Sequence, residues 1–169
     1  MALILDPAYV KTALLGEVRV KVKLTNALDE ALHRRNQITA DQVRTYEAEA
    51  LVDTGAVGCI VPTQVASVLG VQVRGQRVAE YADGRRDTVG VTEPILFEII
   101  GRDTPEEAMV LGDEVLVGQT VLEKLDLLVD CRNQRVVPNP AHPDQPVTKV
   151  KAAVATSAPA STNYPPADP

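Results

Sequence analysis

The chain has 169 residues, 45% of them hydrophobic, and a formal net charge of −6. This length suits one domain and is too short for two independent cores. The negative charge excludes a broad basic surface for nucleic acid, and no apolar run approaches the length of a membrane span.

The cysteines and the start of the chain predict where in the cell the protein is located. Met1–Leu5 is too short for the apolar core of a secretory signal. Cys59 and Cys131 lie in or beside apolar stretches, and neither they nor the two histidines show zinc-ligand spacing. We therefore expect free thiols in a reducing cytoplasm, no metal and no membrane association.

The first half of the chain predicts two strands and two short helices. Residues 1–16 show no period, and Glu17–Leu24 then alternates charged and apolar residues, which indicates a half-buried strand. Thr25-Asn26 predicts the cap of a helix that carries its apolar residues on one face. Those residues are Ala27, Leu28, Ala31 and Leu32, and the next predicted elements are a strand over Asp41–Val52 and a helix over Pro62–Leu69.

The second half predicts mostly short strands. Asp83-Gly84, between two β-prone segments, predicts a hairpin with a type I′ turn. The predicted strands are Val71–Val78, Thr88–Val91, Glu93–Gly101, Ala108–Leu111, Val115–Val117, Leu127–Asp130 and Arg135–Val137, with a short helix over Gln119–Leu125. Eight of the twelve prolines then fall between Pro138 and Pro169, which predicts a disordered tail over residues 141–169.

The tetrapeptide Asp53-Thr54-Gly55-Ala56 is the strongest candidate for a site. It lies between the apolar runs 50–52 and 59–62, so its carboxylate ends a buried strand. An ordinary turn, in which Asp caps and Gly supplies a positive φ, would give the same triplet. Such turns usually have polar flanks, whereas this one has apolar residues on both sides. A second apolar-apolar-Gly element, Leu116-Val117-Gly118, followed by a helical pattern, adds a specific order of motifs.

Together these motifs resemble the active-site region of retropepsin-like aspartic proteases, and most closely the stand-alone bacterial members. The resemblance covers roughly residues 17–140, between an N-terminal segment of residues 1–16 and the tail. It implies a mainly β fold with one or two short helices, a closed barrel with one lobe per chain. The link over residues 27–42 is longer than in compact viral members, so its role stays open, and residues 1–16 are a candidate for a dimer interface.

The resemblance implies an aspartic endopeptidase that needs no cofactor. A water molecule is activated between two carboxylates that share one proton, because like charges at hydrogen-bond distance do not both ionise. This chain has one such loop, so the second carboxylate has to be Asp53 of another copy in a C2 homodimer. The implied partners are therefore a second copy and a peptide or protein substrate.

The resemblance also assigns roles within the loop. Thr54 would join the two loops through reciprocal hydroxyl-to-backbone bonds, and Gly55 would let the loop turn and leave its backbone open. Ala56 has no hydroxyl to donate to the carboxylate and favour its charged form. We therefore expect a pH optimum less acidic than that of a pepsin-like enzyme. Leu116, Val117 and Gly118 would support the loop.

The hairpin tip would form a flap over the substrate. Its residues are Tyr81, Ala82, Asp83 and Gly84. Two other hypotheses stay open at this point. One is a dimer of the same fold that binds peptides without cutting them, and the other is an unrelated β-rich domain in which the triplet is a turn.

Overall fold

A computed structural model describes residues 16–150 of the protein. The predictions for the N-terminal segment and for most of the tail therefore lie outside the described residues. The strands are β1 (Val18–Asn26), β2 (Thr45–Asp53), β3 (Cys59–Val61), β4 (Val73–Glu80), β5 (Arg86–Thr92), β6 (Ile95–Ile99), β7 (Arg102–Glu106), β8 (Ala108–Val110), β9 (Leu116–Gly118), β10 (Leu127–Asp130) and β11 (Arg135–Pro138). The helices are α1 (Ala27–Arg34), α2 (Thr63–Leu69) and α3 (Gln119–Lys124), with a 3₁₀ turn at Ala40–Gln42.

Nine strands form one curled sheet in the order β4-β5-β8-β3-β9-β2-β1-β6-β7, and β10 and β11 form a separate antiparallel pair. The predicted fold class, mainly β with few short helices, is confirmed. The sheet curls into a half-barrel and keeps two edge strands, β4 and β7. The topology places the short strand β9 between β2 and β3, the two strands that flank the Asp53 loop.

The alternating pattern of β1 produces the expected two-faced strand. Val18 and Val22 are buried, whereas Lys21 and Lys23 point outward. In the antiparallel register with β2, Lys21 lies opposite Glu49 and Lys23 lies opposite Glu47. Opposite charges on directly facing positions stabilise such a pair, so the outer face of the sheet favours this register.

The core is built almost entirely from aliphatic side chains around one aromatic ring. Phe97, the only phenylalanine of the chain, is fully buried in this core cluster. Leu24 from β1 and Leu69 from α2 are fully buried in the same cluster. The cluster extends to Val117 of β9 and Val121 of α3, so the strand and helix beside the Asp53 loop are anchored in the core.

Helix α1 begins where the sequence predicts, but it does not bury the predicted face. The Asn26 side chain accepts hydrogen bonds from the amides of Leu28 and Asp29, as an N-cap should. Leu28 is nevertheless 58% exposed, whereas Asp29 is buried. The reason is Arg44, whose Nε and Nη2 lie 2.7 Å and 2.8 Å from the two Asp29 carboxylate oxygens. This ion pair, rather than an apolar stripe, attaches the helix.

The predicted strand over Asp41–Val52 begins later than expected. Ala40–Gln42 forms the 3₁₀ turn, and β2 starts at Thr45. The Thr39 amide and hydroxyl both donate to the Gln42 side-chain oxygen, at 2.9 Å and 3.0 Å. Local side-chain bonds of this kind compete with strand pairing, which explains the difference.

The type I′ turn occurs at a different hairpin from the predicted one. The segment Glu93–Gly101, predicted as one strand, contains β6 and then a two-residue loop. This loop joins β6 to β7 in an antiparallel hairpin. The loop residues Ile100 and Gly101 have φ values of 53° and 72°, and Ile99 pairs with Arg102. Positive φ at both central positions defines this turn. Because Ile is rare at positive φ, nothing in the local sequence indicates the turn.

The structure extends the folded region beyond the predicted start of the tail. Arg102 is buried, and its guanidinium donates to the carbonyls of Leu125, Asp126, His142 and Pro143. The Asp126 carboxylate in turn lies 2.6 Å from His142 Nδ1 and accepts from the Val147 amide. The backbone after β11 is therefore attached to the end of α3 as far as residue 147.

Candidate functional site

Asp53 is the last residue of β2, and its position is set by backbone pairing. Strand β2 runs parallel to β9, with Leu51 opposite Leu116, Val52 opposite Val117 and Asp53 opposite Gly118. The Asp53 side chain is half-buried, whereas Thr54 and Gly55 are exposed. Strand β2 thus ends by presenting a carboxylate at the surface, as the sequence predicts, but it is fully buried only at Ala50 rather than along its length.

The loop after Asp53 folds back on the carboxylate. The Gly55 amide donates to Asp53 Oδ1 at 2.8 Å, and the Ala56 amide donates to the Asp53 carbonyl at 3.2 Å. Within residues 16–150, the second carboxylate oxygen has no hydrogen-bond partner, and neither has the Thr54 hydroxyl. One oxygen is therefore oriented by the loop, and the other is available to a ligand.

Gly55 leaves room for the Asp53 carboxylate rather than supplying a left-handed turn. Its φ does not lie in the positive region, so the turn does not depend on a left-handed glycine. A Cβ at this position would lie 3.1 Å from Asp53 Oδ1. The missing side chain lets the carboxylate approach the Gly55 amide.

The second motif lies directly against the first. A Cβ on Gly118 would clash with the carbonyl oxygen of Gly58 and would lie 2.9 Å from that of Ala56. Only glycine allows β9 to pass this close to the loop. Leu116 also pairs with Ile60 of β3, so Leu116–Gly118 is paired with the strands on both sides of the loop.

Two side chains outside the predicted site residues also hold the loop and β9 together. The Gly118 amide donates to Cys59 Sγ at 3.4 Å, and the Thr120 hydroxyl donates to the Val57 carbonyl at 2.7 Å. Burial raises the pKa of the Cys59 thiol to about 11, so the sulfur is a neutral acceptor. Neither residue belongs to a recognisable motif, because their contacts arise only when β9 is inserted between β2 and β3.

The predicted flap is a hairpin of β4 and β5, but its turn is not of type I′. Asp83 does not have a positive φ, and Gly84 has a φ of 81°. The Gly84 amide donates to the Tyr81 carbonyl and the Tyr81 amide donates to the Arg85 carbonyl, each at 2.9 Å. This pattern is typical of a three-residue loop, Ala82-Asp83-Gly84, with a type I turn followed by a bulge.

The tip of this hairpin carries charged side chains that pair with each other. Arg85 Nε lies 2.6 Å from Asp83 Oδ2, and this hydrogen bond holds the pKa of the Asp83 carboxyl below its ordinary value. The Arg85 guanidinium also lies 5.1 Å from the centre of the Tyr81 ring. No hydrogen bond or ion pair among residues 16–150 joins this tip to the Asp53 loop.

The described part of the chain offers neither a metal cluster nor a membrane-spanning helix. Among residues 16–150, no group of three or more His, Cys, Asp or Glu side chains is arranged to hold a metal ion. Over the same residues, no helix has the length and apolar character needed to cross a membrane.

Comparison with solved structures shows a likeness in fold. The chain is similar to the crystal structure of the retroviral protease-like domain of Ddi1 from Leishmania major, with 18% identity and a TM-score of 0.47. The alignment covers 75% of this chain and 91% of that one. No protein-family model matches the chain, and no curated protein matches it. The expected closeness to bacterial members and the cytoplasmic address stay predictions.

Proposed function

We propose that this chain is one half of a homodimeric aspartic endopeptidase. The observation that carries the proposal is the geometry of Asp53. Its carboxylate ends β2, has one oxygen held at 2.8 Å by the Gly55 amide, and has the other free of partners within the described residues. A carboxylate held in this way accepts a proton from water when a second, protonated carboxylate lies beside it.

The second carboxylate is proposed to come from another copy of the chain. The Asp-Thr-Gly sequence occurs once, and no hydrogen bond joins Asp53 to another acid within residues 16–150. A C2 axis beside the loop would bring two Asp53 side chains together. The exposed Thr54 hydroxyl, which has no partner in the described part of one chain, suits a contact with the opposite loop.

In the proposed reaction, one Asp53 carboxylate takes a proton from the water while the other, protonated, donates a hydrogen bond to the peptide carbonyl. The water oxygen then bonds to the carbonyl carbon to give a tetrahedral intermediate. The C–N bond breaks as the amine nitrogen takes the proton that the first Asp53 carboxylate had removed from the water, and both carboxyl groups return to their starting states. The exposed backbone of Thr54 and Gly55 lies beside the carboxylate where this chemistry would occur. The β4–β5 hairpin is the proposed cover of the substrate.

Hydrolysis of a diverse peptide pool between about pH 3 and about pH 8 tests the proposal. Wild type should cleave, and Asp53→Asn should lower kcat/KM by about 10³-fold or more, because Asn cannot accept the proton. Equal cleavage by both proteins would show a contaminant. If neither cleaves, and both bind peptides from the pool, the peptide-binding dimer replaces this proposal.

A further inference from the structure

The start of α3 is hydrogen-bonded to the far end of the Asp53 loop. The Gln119 amide donates to the Ala56 carbonyl at 2.8 Å, and the Thr120 amide donates to the Val57 carbonyl at 3.1 Å. The Thr120 hydroxyl donates to the same Val57 carbonyl at 2.7 Å. That carbonyl therefore receives two hydrogen bonds from one residue.

These bonds replace the usual cap of the helix. Gly118 occupies the N-cap position and has no side chain, so it cannot accept from the first amides of α3. The first amides of a helix lack partners within the helix itself. The loop carbonyls supply those partners, which ties the position of the loop to that of the helix.

Between Ala56 and the start of β3 at Cys59, the loop is held by these bonds from α3. The Val57 side chain is 79% exposed, so it does not anchor the loop by packing. At its other end the loop is fixed by the pairing of Asp53 with Gly118. Without the Thr120 hydroxyl, the Val57 carbonyl would keep only the longer bond from the Thr120 amide.

We propose that Thr120 is a positioning residue for the Asp53 carboxylate. Its hydroxyl fixes the end of the loop at Val57, and the loop in turn orients Asp53 through the Gly55 and Ala56 amides. The inference rests on the proposed function for its kinetic consequence, although the hydrogen bond itself is independent of it. Displacement of a reacting group by about 1 Å lowers a rate by about 100-fold.

Two substitutions separate the hydroxyl from the shape of the side chain. Thr120→Val keeps the branched shape and removes the hydroxyl, whereas Thr120→Ser keeps the hydroxyl. We expect Thr120→Val to lower kcat by about 10-fold to 100-fold with KM changed less than about twofold. Thr120→Ser should retain most of kcat. Unchanged kcat in Thr120→Val, or an equal loss in Thr120→Ser, would overturn the proposal.

Ser67 provides a matched control in a different helix. Its hydroxyl also donates to a backbone carbonyl, that of Thr63, at 2.9 Å. Ser67→Ala should leave kcat and KM as in wild type. An equal fall of kcat in Ser67→Ala and Thr120→Val would assign the effect to general loosening of the fold and overturn the positioning role.

Amide hydrogen exchange tests the same role without any activity. In Thr120→Val, the Gly55 and Ala56 amides should exchange faster than in wild type, and in Thr120→Ser they should not. If wild type cleaves no peptide, the proposed function fails, and the exchange rates still decide whether Thr120 holds the loop. Equal exchange in Thr120→Val and wild type would overturn the inference.

Discussion

At the residue scale, Gly118 limits what the site tolerates. A Cβ there would clash with the Gly58 carbonyl. The carbonyl belongs to the backbone and a Cβ is bonded directly to it, so neither can turn away by itself. Relief therefore requires movement of β9 or of the loop rather than a change of rotamer. We expect Gly118→Ala to lower the free energy of unfolding by about 3 kcal/mol and to abolish activity. Urea unfolding and peptide hydrolysis measure the two effects.

Gly75 is a matched control for this substitution. It lies in β4 without a positive φ, and a Cβ added to it would meet no neighbouring atom within 4 Å. Gly75→Ala should change the free energy of unfolding by less than about 0.5 kcal/mol. If Gly118→Ala were as stable and active as Gly75→Ala, the close approach of β9 to the loop would be wrong.

Ala56 is the residue at which the pH optimum should be adjustable. Its side chain cannot donate a hydrogen bond, whereas a serine hydroxyl at this position could donate to the neighbouring carboxylate. Such a bond favours the charged form. We expect Ala56→Ser to move the pH optimum of hydrolysis downward by about one pH unit. The full pH profile of kcat/KM checks this, and a profile that does not move would contradict the assumed contact.

At the element scale, an element is predictable from the sequence when its cause is local. The cap of α1 at Asn26 and the end of α2 at Leu69, just before Gly70 with a φ of 62°, follow from single residues, and both predictions agree with the structure. Strand β7 escapes prediction, because Arg102–Glu106 is polar and contains Pro105. This sequence can form a strand because it pairs with β6 at the edge of the sheet. Both the pairing and the edge position belong to the tertiary structure and leave no local pattern in the sequence.

In the candidate site too, features with a local cause are predictable from the sequence and features that depend on tertiary structure are not. The motifs predict the Asp53 loop and Leu116–Gly118, and the structure brings the two into hydrogen-bonded register. Cys59 and Thr120 cannot be predicted in this way, because no local pattern marks a side chain whose partner lies about 60 residues away in sequence.

The attachment of α1 predicts a specific dependence of stability on pH. The Arg44 hydrogen bonds hold the pKa of Asp29 below its ordinary value, against the effect of burial. A lowered carboxyl pKa stabilises the fold at pH values above the unfolded pKa, and this contribution is lost as pH falls through the folded pKa. Asp29→Asn should therefore cost about 2 kcal/mol at about pH 7. The difference from wild type should shrink below about pH 4.

Urea unfolding of both proteins across this pH range measures the difference. The expected loss is moderate because the Arg44 side chain is 48% exposed and partly screened by solvent. Asp103→Asn is the matched control, since Asp103 is exposed and makes no side-chain hydrogen bond or ion pair within residues 16–150. A constant difference between wild type and Asp29→Asn down to about pH 3 would contradict the role of the ion pair.

At the scale of the whole molecule, the proposed site is shared between two chains, and mixing experiments can detect that sharing. A dimer of one wild-type chain and one Asp53→Asn chain has a single carboxylate and should be inactive. The amount of wild type is held fixed while Asp53→Asn is added. If subunits exchange freely, the activity that remains, as a fraction of the activity before mixing, equals the wild-type fraction of all chains. We expect about half the activity in an equal mixture and about a tenth with a ninefold excess of Asp53→Asn.

The time course of this loss distinguishes subunit exchange from simple inhibition. Activity should start near the wild-type value on mixing and fall at the rate at which dimers dissociate, and dilution before mixing should speed the fall. Competition for substrate by the inactive chain would instead act at once and disappear at saturating peptide. Once subunits have exchanged, activity that stays constant at every ratio would mean that one chain contains the whole site. The second proton-accepting group would then have to be sought among the acids of the same chain.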